Sequence, residues 1–84
     1  MPAPVDAVLI VLREWLVKAE NDLKAAIQII KMGRAAPMDT ICFHAQQCLE
    51  KSIKAILVHR AIPFPRTHDI QVLVNLSRRS RAQA

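Results

Sequence analysis

Between Val5 and Ile30 the apolar side chains fall at Val5, Val8, Leu9, Leu12, Leu16, Ala19, Leu23, Ala26, Ile27 and Ile30, a recurrence of every three or four positions. That spacing keeps one face of a 3.6-residue helix apolar and is incompatible with the two-residue period of a half-buried strand. One long amphipathic helix follows. Glu14 with Lys18 and Glu20 with Lys24 stand four apart on its polar side, in the favourable order. Gly33 lies where a left-handed C-cap would close the helix. After a break at Arg34 to Pro37, Asp39 is the expected N-cap of a second helix reaching about Arg60. Its core stripe reads as Ile41, Ala45, Cys48, Leu49, Ser52 and Ile56, with Glu50 paired to Lys54 on the wet side. The short loop makes the two helices antiparallel neighbours.

Ile62-Pro63-Phe64-Pro65 cannot continue a helix, because each proline lacks an amide donor and pushes its predecessor toward extended geometry. This stretch reads as a stiff connector. Thr67 is then expected to cap a third helix over about His68 to Arg78, with Ile70, Leu73, Val74 and Ser77 inward and Asp69 against the positive helix end. No internal repeat, low-complexity segment or period-two run is present. The expected fold is all-α: an up-and-down antiparallel bundle of three helices, a long hairpin plus a shorter third helix. It forms one domain over residues 1–78, followed by a basic, disordered tail at 79–84.

Twelve Lys and Arg stand against seven Asp and Glu, a net charge of +5 that falls to +2 without Arg78, Arg79 and Arg81. Such a tail can attract phosphates without sequence preference, or simply keep the chain in solution. With 52% apolar and 23% charged residues and a single glycine, a disordered chain and collagen-like repeats are disfavoured, and Gly-rich phosphate loops are excluded. The longest apolar stretch, Ala7 to Leu12, is far too short to span a bilayer, and nothing brackets it as a signal peptide, so a cytoplasmic location is expected. Cys42 and Cys48 lie six apart on different helix faces, where they cannot bridge, which fits a reducing compartment. A chain of 84 residues buries only about 60–65% of the surface its unfolded form exposes. Val11, Val17, Phe43, Ile53 and Leu57, with the Trp15 side, carry apolar surface beyond the seam. A homodimer or a bound partner is therefore expected.

Arg66-Thr67-His68-Asp69 is the strongest local arrangement for chemistry. An arginine and a histidine flank a capped helix start whose amides and dipole attract anions such as phosphate. A first-turn histidine near the positive helix end should stay neutral and able to accept a proton, with Asp69 pulling the other way. The plainer alternative is that Thr67 caps, His68 is a polar first-turn residue and Arg66 is solvated. His44, Gln46 and Gln47 form a polar cluster flanked by Cys42 and Cys48. His44 and Cys48 share a face but Cys42 points elsewhere, so the spacing argues against a metal, and His44 is expected partly buried and bonded to a neighbouring helix. No general base is tied to either cysteine, and nothing in the sequence calls for a cofactor.

Trp15-Leu16 with Ala19 and Asp22-Leu23, then the run Cys42-Phe43-His44-Ala45-Gln46-Gln47-Cys48-Leu49-Glu50-Lys51-Ser52-Ile53-Lys54-Ala55, then Arg66-Thr67-His68-Asp69-Ile70, resemble the HEPN domain family. The resemblance covers about residues 12 to 76. It implies an up-and-down bundle, usually dimeric, often encoded beside a minimal nucleotidyltransferase that it serves as partner or substrate-binding subunit. Some members are metal-independent RNA-cutting toxins whose motif is an arginine followed a few residues on by a histidine, the two protomers' sites meeting at the dimer interface. His68 matches that histidine, whereas Arg60 lies further upstream than the spacing allows and Arg66 is separated from it by Thr67 alone. Certain members carry a nucleotide-modified tyrosine, and this chain has no tyrosine. The family bundle normally continues with one more helix, so this chain reads as shorter, which strengthens the case for self-association.

Three functions follow. The first is a nucleotide- or RNA-binding subunit of a toxin–antitoxin-like module, holding phosphate with Arg66, Thr67, His68 and Asp69 at the start of helix three. The second is a metal-independent endoribonuclease using His68 with Arg60 or Arg66. The third is a structural dimerisation module in which His44 and Gln47 fix helix register.

Overall fold

The computed structural model describes residues 5–78, and the tail expected at 79–84 lies outside them. It comprises α1 (Val5–Ile30), a 3-10 turn (Gly33–Ala35), α2 (Met38–His59) and α3 (Ile70–Ser77), with no strand among the described residues. Trp15 meets Lys54 while Asp22 meets His44 and Lys51, so α1 and α2 run antiparallel. Gly33 adopts the left-handed conformation expected of it, at φ +67. Asp39 does not cap α2: Pro37 in extended geometry holds that place, and its carbonyl accepts the amides of Thr40 and Ile41. Asp39 sits in the first turn, where its charge still suits the positive helix end.

The hairpin is rotated relative to the expected seam. On α1 the residues buried against α2 are the small Ala19 and Ala26, with Trp15, Asp22 and Ile29 half-buried on the same side. Leu9, Leu16, Leu23, Ile27 and Ile30 are left between 44 and 56% exposed. Two forces set this rotation. The alanines let the helix backbones approach closely, and Asp22 between them must face α2 for its carboxylate to reach His44 and Lys51. A buried carboxylate without partners costs far more than a half-exposed leucine. On α2, Leu49 and Ile56 are also open, and the buried face is instead Glu50, Ile53, Lys54, Ala55 and Leu57. The Glu50–Lys54 pair placed on the wet side by its spacing is thus inside the protein.

Ile53, Leu57, Ile62 and Leu73 form the core, with Phe64, Ile70, Val74 and Leu76 packed against it. The inward face expected of α3 is the one observed. Chain reversal after α2 uses a Schellman ending: the Ile62 amide donates to the Leu57 carbonyl at 2.9 Å and the Ala61 amide to the Val58 carbonyl at 3.1 Å. Ala61 occupies the left-handed position at φ 57, where glycine is the residue without steric cost. Asp69, not Thr67, caps α3; its Oδ1 accepts from the amides of Gln71 at 2.9 Å and Val72 at 3.4 Å. Thr67 Oγ1 accepts the Asp69 amide one step earlier, so the helix starts at Ile70 rather than His68. An ionised carboxylate is the stronger acceptor of the two, which decides which residue caps. At the other end of α3, Arg60 Nη1 donates to the Ser77 carbonyl.

Candidate functional site at the connector

Glu50, Ile53, Lys54 and Leu57 occupy i, i+3, i+4 and i+7 of α2, one continuous helix face that the connector covers. Ile53 and Leu57 enter the core, and the two charged residues are buried beside them, at 2% and 6% exposure. They satisfy each other: Lys54 Nζ donates to Glu50 Oε1 at 2.9 Å. The Lys54 ammonium also lies 5.0 Å from the centre of the Trp15 ring, and Lys18 lies 5.3 Å from it. Such cation–ring contacts offset part of the cost of taking an ammonium out of water. Phe64 of the connector closes edge-on against Trp15, ring centres 6.3 Å apart.

Onto this floor the connector lays His68, whose ring is 83% exposed and whose Nδ1 is 2.7 Å from Glu50 Oε1. Burial raises the Glu50 carboxyl, but hydrogen bonds from Lys54 and His68 and their charges outweigh it, holding the group below the usual glutamate range. An ionised carboxylate only accepts, so His68 donates from Nδ1 and its other ring nitrogen is left to solvent or a ligand. A carboxylate that fixes a histidine's tautomer and orientation in this way is the arrangement of acid–base sites.

His68 divides two grooves. One, of about 380 Å³, is lined by Trp15, Lys54, Phe64, Pro65, Arg66 and Thr67. The other, of about 390 Å³, is lined by Phe43, Gln46, Gln47, Glu50, Asp69, Ile70 and Gln71. Arg66, Thr67, His68 and Asp69 are therefore together as their order implies, but their tasks differ. Thr67 and Asp69 are spent on the turn and the cap, and the Gln71 and Val72 amides that would greet an anion already bind the Asp69 carboxylate. Arg66 remains as an exposed cation on the rim. Arg60 is not brought to His68; it is bound at the opposite end of α3.

His44 takes the place expected of it, its Nδ1 2.9 Å from Asp22 Oδ1 on the neighbouring helix, with Lys51 Nζ on the other carboxylate oxygen at 2.5 Å. Burial raises the Asp22 carboxyl too, yet the bonds and charges of Lys51 and His44 carry it below the usual aspartate range. This cluster ties α1 to α2. Gln47 is half-buried and lines the second groove instead of joining it. Cys42 and Cys48 are free thiols, and among the described residues no three His, Cys, Asp or Glu side chains are grouped to hold a metal. No helix among them is long and apolar enough to cross a membrane.

Glu50, Lys54, Trp15 and Phe64 were not among the site residues that the sequence suggested. The signal for the first two was the flanking Ile53 and Leu57, which mark that face of α2 as inward.

A model of the HEPN domain matches residues 12–83. The chain belongs to the HEPN domain family. No curated protein and no solved structure matches it. HEPN membership accounts for the all-helical bundle and brings a nucleotide- or RNA-related function at the level of the family.

Proposed function

We propose that this HEPN chain is a nucleotide- or RNA-binding subunit that works in the cytoplasm with a separate minimal nucleotidyltransferase, in a toxin–antitoxin-like module. The observation that carries the reading is the His68 ring, held by the buried Glu50 carboxylate beside Arg66, over a groove floored by Trp15 and Phe64. Aromatic rings and a rim cation are the groups that bind an unpaired base and its phosphate. Because Asp69 occupies the α3 amides, phosphate contact falls to Arg66 and the free nitrogen of His68. Calorimetric titration with AMP and a short RNA tests this. Arg66→Ala should weaken binding several-fold while the thermal midpoint stays within a degree or two, and an unchanged affinity overturns the assignment.

The Glu50–His68 pair also favours a second reading, a metal-independent ribonuclease. His68 would take the proton of a 2′-hydroxyl and Arg66 would face the charge growing on phosphorus. RNA cutting that survives EDTA and vanishes in His68→Ala is its signature. Equal cutting by the variant excludes it.

Self-association belongs to the same proposal. Leu9, Leu16, Leu23, Ile27 and Ile30 of α1 and Leu49 and Ile56 of α2 lie on a flank that neither connector nor α3 covers; Leu12 and Leu16 share a groove there with Ser52 and Ile56. Seven half-exposed branched side chains offer on the order of 600 Å², close to the ~800 Å² per partner of a standard interface. A second copy presenting the same two-helix face is the occupant, since a two-fold axis makes such a face self-complementary.

A further inference from the structure

Resting on the nucleotide-binding reading above, we infer that the connector site takes two consecutive nucleotides of a single-stranded RNA, one on each side of the His68 ring. The two grooves are nearly equal in size, about 380 and 390 Å³, and His68 lines both. A ligand that fills one alone leaves the other empty. Their chemistry differs in a way that assigns the parts. The first is aromatic and cationic: the Trp15 and Phe64 rings, Lys54 and Arg66, with Lys18 5.3 Å from the Trp15 ring centre. It suits one base by stacking and the phosphate beside it by charge.

The second groove is lined by the side-chain amides of three glutamines, the Glu50 and Asp69 carboxylates, Ile70 and one half-exposed aromatic ring, Phe43. No lysine or arginine lines this groove, whereas Arg66 stands at the first, so the phosphate of a free mononucleotide is drawn to the first. The second suits a neutral base. Side-chain amides of Gln46, Gln47 and Gln71 carry both donors and acceptors and match a base edge, and Gln71 is already steadied by its Nε2 bond to Asn75 Oδ1 at 3.1 Å. The connecting phosphodiester then crosses His68, next to Arg66, where the free ring nitrogen can meet it.

Trp15 is the only tryptophan and the chain has no tyrosine, so intrinsic fluorescence reports the aromatic groove directly. The full chain is titrated with AMP and with the dinucleoside monophosphate ApA, and the same titrations are run on a Gln46→Ala, Gln71→Ala variant. Both changed residues are exposed, and a thermal melt checks that the variant is folded. Both ligands should quench Trp15, with ApA binding about tenfold or more tighter than AMP despite its lower charge, the scale of one added base. The variant should lose that advantage and keep its AMP affinity. If AMP binds as tightly as ApA, or the variant keeps the ApA advantage, the two-groove inference is overturned while nucleotide binding stands. If neither ligand quenches Trp15 nor gives heat in a calorimeter, both readings fall together.

Discussion

Replacing Glu50 by glutamine isolates the buried charge pair on which the connector rests. Glutamine keeps the volume and an acceptor oxygen, so no cavity opens, and what changes is that the Lys54 ammonium, 6% exposed, loses its counter-charge. Removing one partner of a buried pair costs about 3–5 kcal/mol. The Trp15 ring 5.0 Å from Lys54 still attracts the ammonium by about 1 kcal/mol, which brings the expectation to about 2–4 kcal/mol. A domain of 84 residues has roughly 4–12 kcal/mol in total, so the loss is a large share of it. Urea unfolding followed by Trp15 fluorescence is the assay. With a slope of ~1.3 kcal/mol/M the midpoint should drop by about 1.5–3 M. Adding Lys54→Met should restore most of the loss, because a packed apolar side chain replaces the stranded ammonium. A Glu50→Gln midpoint within ~0.4 M of the parent, or a double variant no better than the single, would refute the buried-pair account.

Ala61→Gly should raise stability by about 0.5–1 kcal/mol, read as a higher urea midpoint, since glycine adopts the left-handed φ of 57 without strain. Stability should fall as the pH drops below about 4, because Asp22 and Glu50 both titrate lower when folded than the ~3.9 and ~4.3 of unfolded chains. Their contribution is complete above those unfolded values and is lost as the pH falls through the folded ones, so the acid fall, followed by the urea midpoint against pH, should be shallower in Glu50→Gln. Leu16→Glu with Leu23→Lys should convert a sedimenting dimer to monomer with helical circular dichroism retained; a parent that sediments as a monomer at tens of micromolar contradicts the paired-hairpin proposal.

The course of the chain is largely legible in its sequence. An unbroken three-and-four spacing fixes α1, Gly33 its end, and the doubled prolines the connector; Ile70, Leu73 and Val74 show which side of α3 turns inward. The rotation of α1 is not legible, because its apolar arc is wider than one helix contact. What selects the buried part is a pairing between Asp22 and two residues 22 and 29 positions away. Spacing alone cannot anticipate a partner at that separation. The site is legible to the same depth. Arg66 and His68 stand out as residue types beside a helix start, but Glu50 and Lys54 have the spacing of any surface pair, and only the flanking Ile53 and Leu57 mark their face as the one the connector covers. The capping choice between Thr67 and Asp69 turns on acceptor strength, and both residues fit the pattern equally.

The most direct test of nucleotide recognition at the connector is a titration of the isotopically labelled chain with a short single-stranded RNA, read in amide and indole nuclear magnetic resonance spectra. The account predicts saturable shifts gathered at the Trp15 indole, at Arg66 to Gln71 and at Gln46 to Glu50, with the leucine flank of α1 unmoved. Shifts that avoid this region, or spectra unchanged at millimolar RNA, would contradict it.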